Sequence, residues 1–156
     1  LEDLGLTLNE EKTRIVDARQ ESFNFLGFSI GMKRGKRTGR EYPHTEPSKK
    51  ALKHIRAEVK RLTTEQYSAS PTEDVIRRVN EVARGWVGYF RFGNCTKAMS
   101  SFKRYLVYRM RIYLRRKHHY RSFGYKAFPD RYYYDSLGLY EVPTKAPWVQ
   151  NAKASG

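Results

Sequence analysis

Apolar residues change their spacing twice along this chain, and the changes divide it. Leu4, Leu6 and Leu8 alternate with Gly5 and Thr7, the period-two pattern of a strand. Residues 9–12 read as a polar turn and residues 14–16 as a second short strand. Residues 23–30 (FNFLGFSI) predict a stronger strand, with Phe23, Phe25 and Gly27 on one face and Leu26, Phe28 and Ile30 on the other. Both faces are partly apolar, so this strand is expected to be covered on two sides. Residues 31–40 (GMKRGKRTGR) form a glycine-punctuated basic loop or hairpin tip.

From Pro47 the period becomes that of a helix. Pro47 and Ser48 open the first, in which Leu52, Ile55, Val59 and Leu62 share a stripe while Lys50, Lys53, Lys60 and Arg61 lie off it. The second is expected to begin with a capping box: Ser70 as cap, Pro71 at the first helical position, Glu73 three residues after the cap. Val75, Ile76, Val79, Val82, Ala83, Trp86 and Phe90 supply its apolar face. Gly85 and Gly88 inside it cost about 1 kcal/mol each relative to alanine, which a close helix crossing or a helix end near Gly88 would explain. Gly93-Asn94 breaks the pattern, and Thr96 is expected to cap a third helix, in which Ala98, Met99, Phe102, Leu106, Met110 and Tyr113 keep helical spacing to about Arg116. Lys103, Arg104, Arg111 and Arg115 fall on other faces and are expected to point to solvent. No period persists from His118 onward. Tyr132, Tyr133 and Tyr134 with Pro129, Pro143 and Pro147 predict an irregular tail held by aromatic packing, with residues 151–156 disordered. The fold class is therefore α+β: a short N-terminal β element, a mainly α three-helix unit and an irregular aromatic tail, divided as residues 1–42, 43–120 and 121–156.

Charge changes the picture most. The 156 residues carry 31 Lys+Arg against 16 Asp+Glu, a formal net charge of +15. No acidic residue stands between Glu81 and Asp130, a window dense in Arg, Lys, Phe, Tyr and Trp. Cations and π-faces mixed in this way suit a polyphosphate with exposed bases. A mean hydropathy of −0.79 leaves a lean core for a self-repelling chain, which favours an anionic partner. The single cysteine, Cys95, excludes an internal disulfide, and the histidines have no metal-ligand spacing, so no metal site is expected. No apolar run approaches the roughly 20 residues that span a bilayer, and no membrane partner is expected. The chain opens inside an amphipathic element and reads as an excised portion of a longer protein.

Residues 4–16 (LGLTLNEEKTRIV) followed by residues 23–30 resemble the end of the palm of group II intron reverse transcriptases, where an Asn-x-x-Lys-Thr motif precedes a Phe-x-Phe-Leu-Gly-Phe strand. Residues 47–62, 75–90 and 97–117 resemble that family's maturase-specific thumb, domain X. The most specific element is residues 80–90, where Asn80, Arg84-Gly85-Trp86 and Tyr89-Phe90 stand at the family's spacing. The resemblance covers roughly residues 1–120. Two departures matter: no Asp-Asp pair of the polymerase metal motif occurs in this chain, and no endonuclease-like module is recognisable beyond His119.

The resemblance implies residues 1–42 as palm end, residues 43–120 as thumb, and several roles. Lys12 would lie near the incoming nucleotide, where a cation assists the departing pyrophosphate. Phe25, Leu26, Gly27 and Phe28 would form a primer-grip-like strand. Gly85, Trp86 and Tyr89 are expected to be structural, since a large aromatic on an apolar stripe is more often core than stacking platform. The residues expected to bind RNA are Lys33, Arg34, Lys36, Arg37, Arg40, Arg84, Arg91, Lys97, Lys103, Arg104, Arg111, Arg115, Arg116 and Lys117. The implied partners are group II intron RNA, an RNA template–DNA primer duplex, and the upstream palm and fingers. The implied function is assisting intron folding and splicing while gripping the duplex; a free-standing basic RNA-binding scaffold is the alternative. Mg2+ would serve the parent polymerase, no cofactor is expected in this chain, and without the aspartate motif it is expected to be inactive alone. A bacterial-type, cytoplasmic, nucleic-acid-associated location follows from the same resemblance.

Overall fold

The computed structural model describes residues 23–65, 69–91, 93 and 95–145, and the expectations for residues 4–16, Lys12 among them, and for residues 151–156 lie outside these. Strands β1 (Phe23–Phe25), β2 (Phe28–Arg34) and β3 (Glu41–Pro47) form one antiparallel sheet in the order β1-β2-β3. The single strand expected over residues 23–30 is instead a hairpin. Phe25 pairs with Phe28, and the two residues between them both take positive φ, 51° at Leu26 and 86° at Gly27. That is the two-residue turn whose twist matches the strands it joins. An all-apolar run hid it, because the leucine is 63% exposed rather than part of a covered face. The basic loop is a hairpin tip: Arg34 pairs with Glu41, and the Gly35 and Arg40 backbones bond across it at 2.9 Å. Its return strand, β3, carries Pro43 and Pro47, which an edge strand tolerates because one side of its backbone needs no ladder partner.

Helices α1 (Lys49–Glu65), α2 (Thr72–Phe90) and α3 (Thr96–His118) follow, with a short α4 (Asp130–Asp135) that the aperiodic tail did not announce. Ser48 caps α1, its Oγ accepting the Ala51 N–H at 3.0 Å. The capping box expected for α2 is displaced: Pro71 is the cap, it has no side-chain oxygen to offer, and Glu73 and Asp74 in the first turn answer the helix dipole instead. Thr96 likewise is the first residue of α3, with Cys95 at the cap position. α3 outlasts its apolar pattern by two residues and ends at His119, which takes a left-handed φ of 56°.

The three apolar stripes meet in one core. Ile55, Val59 and Leu62 of α1, Val79, Ala83, Trp86 and Phe90 of α2, and Met99, Phe102, Leu106, Met110 and Tyr113 of α3 are all buried. The tail belongs to the same core through Tyr133, Leu139 and Val142. Asn80 fastens it there, donating to the Gly138 carbonyl and accepting the Tyr140 N–H, both at 2.8 Å. The sheet docks where Phe28 packs on Phe90, with ring centroids 4.8 Å apart, and where the Ser48 N–H bonds the Gly27 carbonyl at 2.8 Å. At Gly93 a side chain is impossible without movement, since a Cβ would lie 2.5 Å from the Thr45 carbonyl oxygen. Gly85 and Gly88 behave otherwise. The helix runs past both to Phe90, and a Cβ on either would meet nothing within 4 Å, so neither a close crossing nor a helix end accounts for them.

Candidate nucleic-acid interface

The cations expected to meet phosphate fall into two groups, which only the packing separates. In the hairpin, Lys33 and Arg34 lie 3.9 Å from Glu46 and Glu41 respectively, both loose pairs. Lys36, Arg37 and Arg40 are exposed in the turn. Arg84 of α2 and Arg91 at its C-terminal cap are both exposed and seven residues apart, which places them on one stripe. Gly88 lies between them on that stripe. Arg84 also rests over the Tyr140 ring, 5.4 Å from its centroid. On α3, Lys97 and Arg104 repeat the same seven-residue spacing on the outer face, and Arg116 is exposed near the end.

The second group turns inward. Arg111 and Arg115 were both expected to point to solvent; Arg111 does not, because the tail folds over the last turns of α3 and covers it. Arg111 is 3% exposed. Its Nη2 donates to Asp130 at 2.7 Å and its Nη1 to the Phe128 carbonyl at 2.6 Å, while the Tyr125 and Tyr133 rings lie 4.4 and 4.8 Å from its Cζ. Arg115 is half-buried over Phe123, and it donates to the Tyr120 and Arg121 carbonyls at 3.3 and 3.4 Å, so it closes the helix end. Lys117 reaches back to the Ser70 carbonyl at 2.7 Å, tying the end of α3 to the start of α2. Lys103 bonds Glu141 at 3.2 Å and lies over the Tyr134 ring.

Trp86 is 9% exposed in the core, 4.7 Å from Phe90 and 5.1 Å from Phe102 between ring centroids. Tyr89 is half exposed, and its hydroxyl donates to the Leu26 carbonyl at 2.8 Å, holding the β1–β2 turn. Of the primer-grip-like residues, Leu26 is exposed, Gly27 lies against Phe90, and Phe28 packs on Phe90 and Tyr89. The side chain of Phe25 lies outside the described residues. Among the described residues no three His, Cys, Asp or Glu side chains gather as a metal site, and no helix is long and apolar enough to cross a membrane.

Three features had no individual role assigned from the sequence. Arg109 is buried and bonds the Thr63 and Thr64 hydroxyls at 3.1 and 2.9 Å, a cation spent on joining α3 to α1. Arg131 binds both Asp135 and Glu141, and those bonds hold both carboxyls below the usual carboxylate range. Burial pushes the Tyr134 hydroxyl beside them up to about 12. Tyr108, Tyr120 and Tyr125 are 48%, 44% and 61% exposed, on the side where the tail meets α3. One signal was available: Asp130 ends a long acid-free stretch, so some cation within that stretch had a strong reason to find it.

The family model for the group II intron maturase-specific domain matches residues 52–133, from within α1 to within α4. A search of curated proteins finds no match.

Proposed function

The chain belongs to the group II intron maturase-specific domain family, and we propose that within it this protein is the RNA-gripping thumb of an intron-encoded reverse transcriptase. Its task would be to hold folded intron RNA for splicing and, in a polymerase that includes the upstream palm and fingers, to clamp the template–primer duplex. The observation that carries this reading is the residue of charge left after the fold has used what it needs. Arg109 and Arg111 are buried, and Arg115, Lys117 and Lys103 are tied to partners within the chain. Lys36, Arg37, Arg40, Arg84, Lys97, Arg104, Arg121 and Lys126 remain on the surface, and among the described residues none of them pairs with a carboxylate. A +15 chain keeps such groups outward at a cost in self-repulsion that an RNA backbone relieves. Contacts of this kind read phosphate, 2′-hydroxyl and shape, so specificity for one intron would come from several RNA elements engaged together.

Binding to structured group II intron RNA across a salt series tests the reading. With about 6–10 phosphates neutralised, affinity should fall by about 10³–10⁵ between 50 and 200 mM salt, taking the duplex-DNA slope as guide. Lys97→Glu with Arg104→Glu should weaken binding further and leave the melting temperature unchanged, because both side chains are exposed. A flat salt dependence would count against the basic surface as the RNA site.

A further inference from the structure

Where the tail folds back over the end of α3 it forms a partly open cavity of about 210 Å³ against the start of α2. Its walls include Ile76, Leu114, Arg115, Phe123, Phe128 and Tyr133. From those walls ring contacts continue outward. Tyr120 stacks on Phe128 at 5.8 Å with 18° between planes and on His118 at 5.4 Å with 29°, and Phe123 stacks on Tyr108 at 6.5 Å with 28°. Positive charge backs Phe123, with Arg115 4.6 Å from its centroid, and the neighbouring Tyr125, with Arg111 4.4 Å from its centroid. Tyrosines 108, 120 and 125 stay exposed at this end, whereas the other exposed large apolar side chains among the described residues, Leu26, Tyr42 and Tyr89, belong to the sheet and its contact with α2. Exposed rings gathered beside one cavity are not what a core or a solvated surface requires.

The chemistry selects the occupant. Stacked rings with guanidiniums behind them favour a flat π system, and the exposed Arg104, Arg121 and Lys126 nearby in sequence favour a polyanion attached to it. The lining also includes Glu73, beside Arg115 and an Arg111 whose charge Asp130 already answers; the glutamate carboxylate repels a phosphate but can accept the amino and imino N–H groups of a base edge. The size also falls below the roughly 300–1,000 Å³ of pockets that take a whole drug-sized ligand. We propose that this cavity receives one unpaired nucleobase of the bound RNA, with the adjoining phosphates outside on the basic side chains. This rests on the RNA-binding reading above and adds that the protein distinguishes an unpaired residue from continuous duplex.

The test uses two RNA hairpins with the same stem, one fully paired and one with a single-nucleotide bulge, titrated against the full chain at one salt concentration. Stacking of one base is worth on the order of 10- to 100-fold in affinity, so the bulged RNA should bind at least about 10-fold more tightly. Ser122→Trp, placing an indole at the cavity lining, and Tyr120→Ala, removing an exposed ring, should each reduce that preference while the paired stem binds as before. The second variant alters a surface ring, so it keeps the test decisive if the first fails to fold. Equal affinity of the native chain for both hairpins, or a preference that survives both substitutions, would overturn the cavity as a base site. Failure to bind either RNA would overturn the RNA-binding reading and this inference with it.

Discussion

Replacing Arg111 with alanine should detach the tail from α3, and the structure sets the scale of the loss. The pair with Asp130 contributes little, because that carboxylate is 69% exposed and stays solvated when the guanidinium is gone. The bond to the Phe128 carbonyl at 2.6 Å is charge-assisted and worth about 1.5–3 kcal/mol, while the 3.4 Å contact with the Phe123 carbonyl adds little. Two ring faces at 4.4 and 4.8 Å from Cζ add about 0.5–2 kcal/mol each. Against this stands the relief of no longer holding a cation at 3% exposure. A net loss of about 3 kcal/mol is expected, a large share of the roughly 5–15 kcal/mol that holds a domain together. Arg111→Lys should recover only part of it, since an ammonium cannot reach carbonyl and carboxylate together as a planar fork does. Asp130→Asn should cost less than about 1 kcal/mol. The assays are urea unfolding and amide hydrogen exchange, the latter showing faster exchange at residues 123–137 before global unfolding. Should Arg111→Ala unfold within about 0.5 kcal/mol of the native chain, the inward placement of this side chain is not structural, and the solvent-facing position that helical spacing suggests would stand.

Trp86→Ala should cost about 3–5 kcal/mol by leaving a cavity beside Phe90 and Phe102; a variant that melts like the native chain but binds RNA poorly would make Trp86 a stacking residue. Gly85→Ala and Gly88→Ala should each stabilise the chain by about 0.5–1 kcal/mol, since both positions are helical and open, and a loss of stability at either would reveal a close contact. The depressed carboxyls of Glu141 and Asp135 mean that the unfolded chain binds more protons than the folded one as acidity increases. Their stabilisation is present in full above the ordinary carboxylate range and disappears as pH falls through the folded values. Glu141→Gln should therefore flatten the acid limb of a stability–pH profile, and an unchanged limb would remove the Arg131–Glu141 contact from the account.

The three helices and most of their buried residues were legible in the chain, because a helix buries residues at its own period. Val59, Val79, Phe102 and Met110 needed nothing beyond that spacing to be assigned inward. The excess of cations was legible too, as was the maturase-specific domain that the family match shows over residues 52–133. Other features were not. The turn at Leu26–Gly27 sits inside an unbroken apolar run, and the caps of α2 and α3 each lie one residue from where the polar side chains suggested. Above all, spacing could say that Arg111 lies off the apolar stripe but not that residues 119–130 return across that face. Lys97 and Arg104 share the side of α3 from which Arg115 projects, and only at the later turns does the tail arrive to cover it. A helical period is a local property of one segment. Burial of a charged side chain depends on which distant segment packs against it, and in this protein that segment has no period of its own.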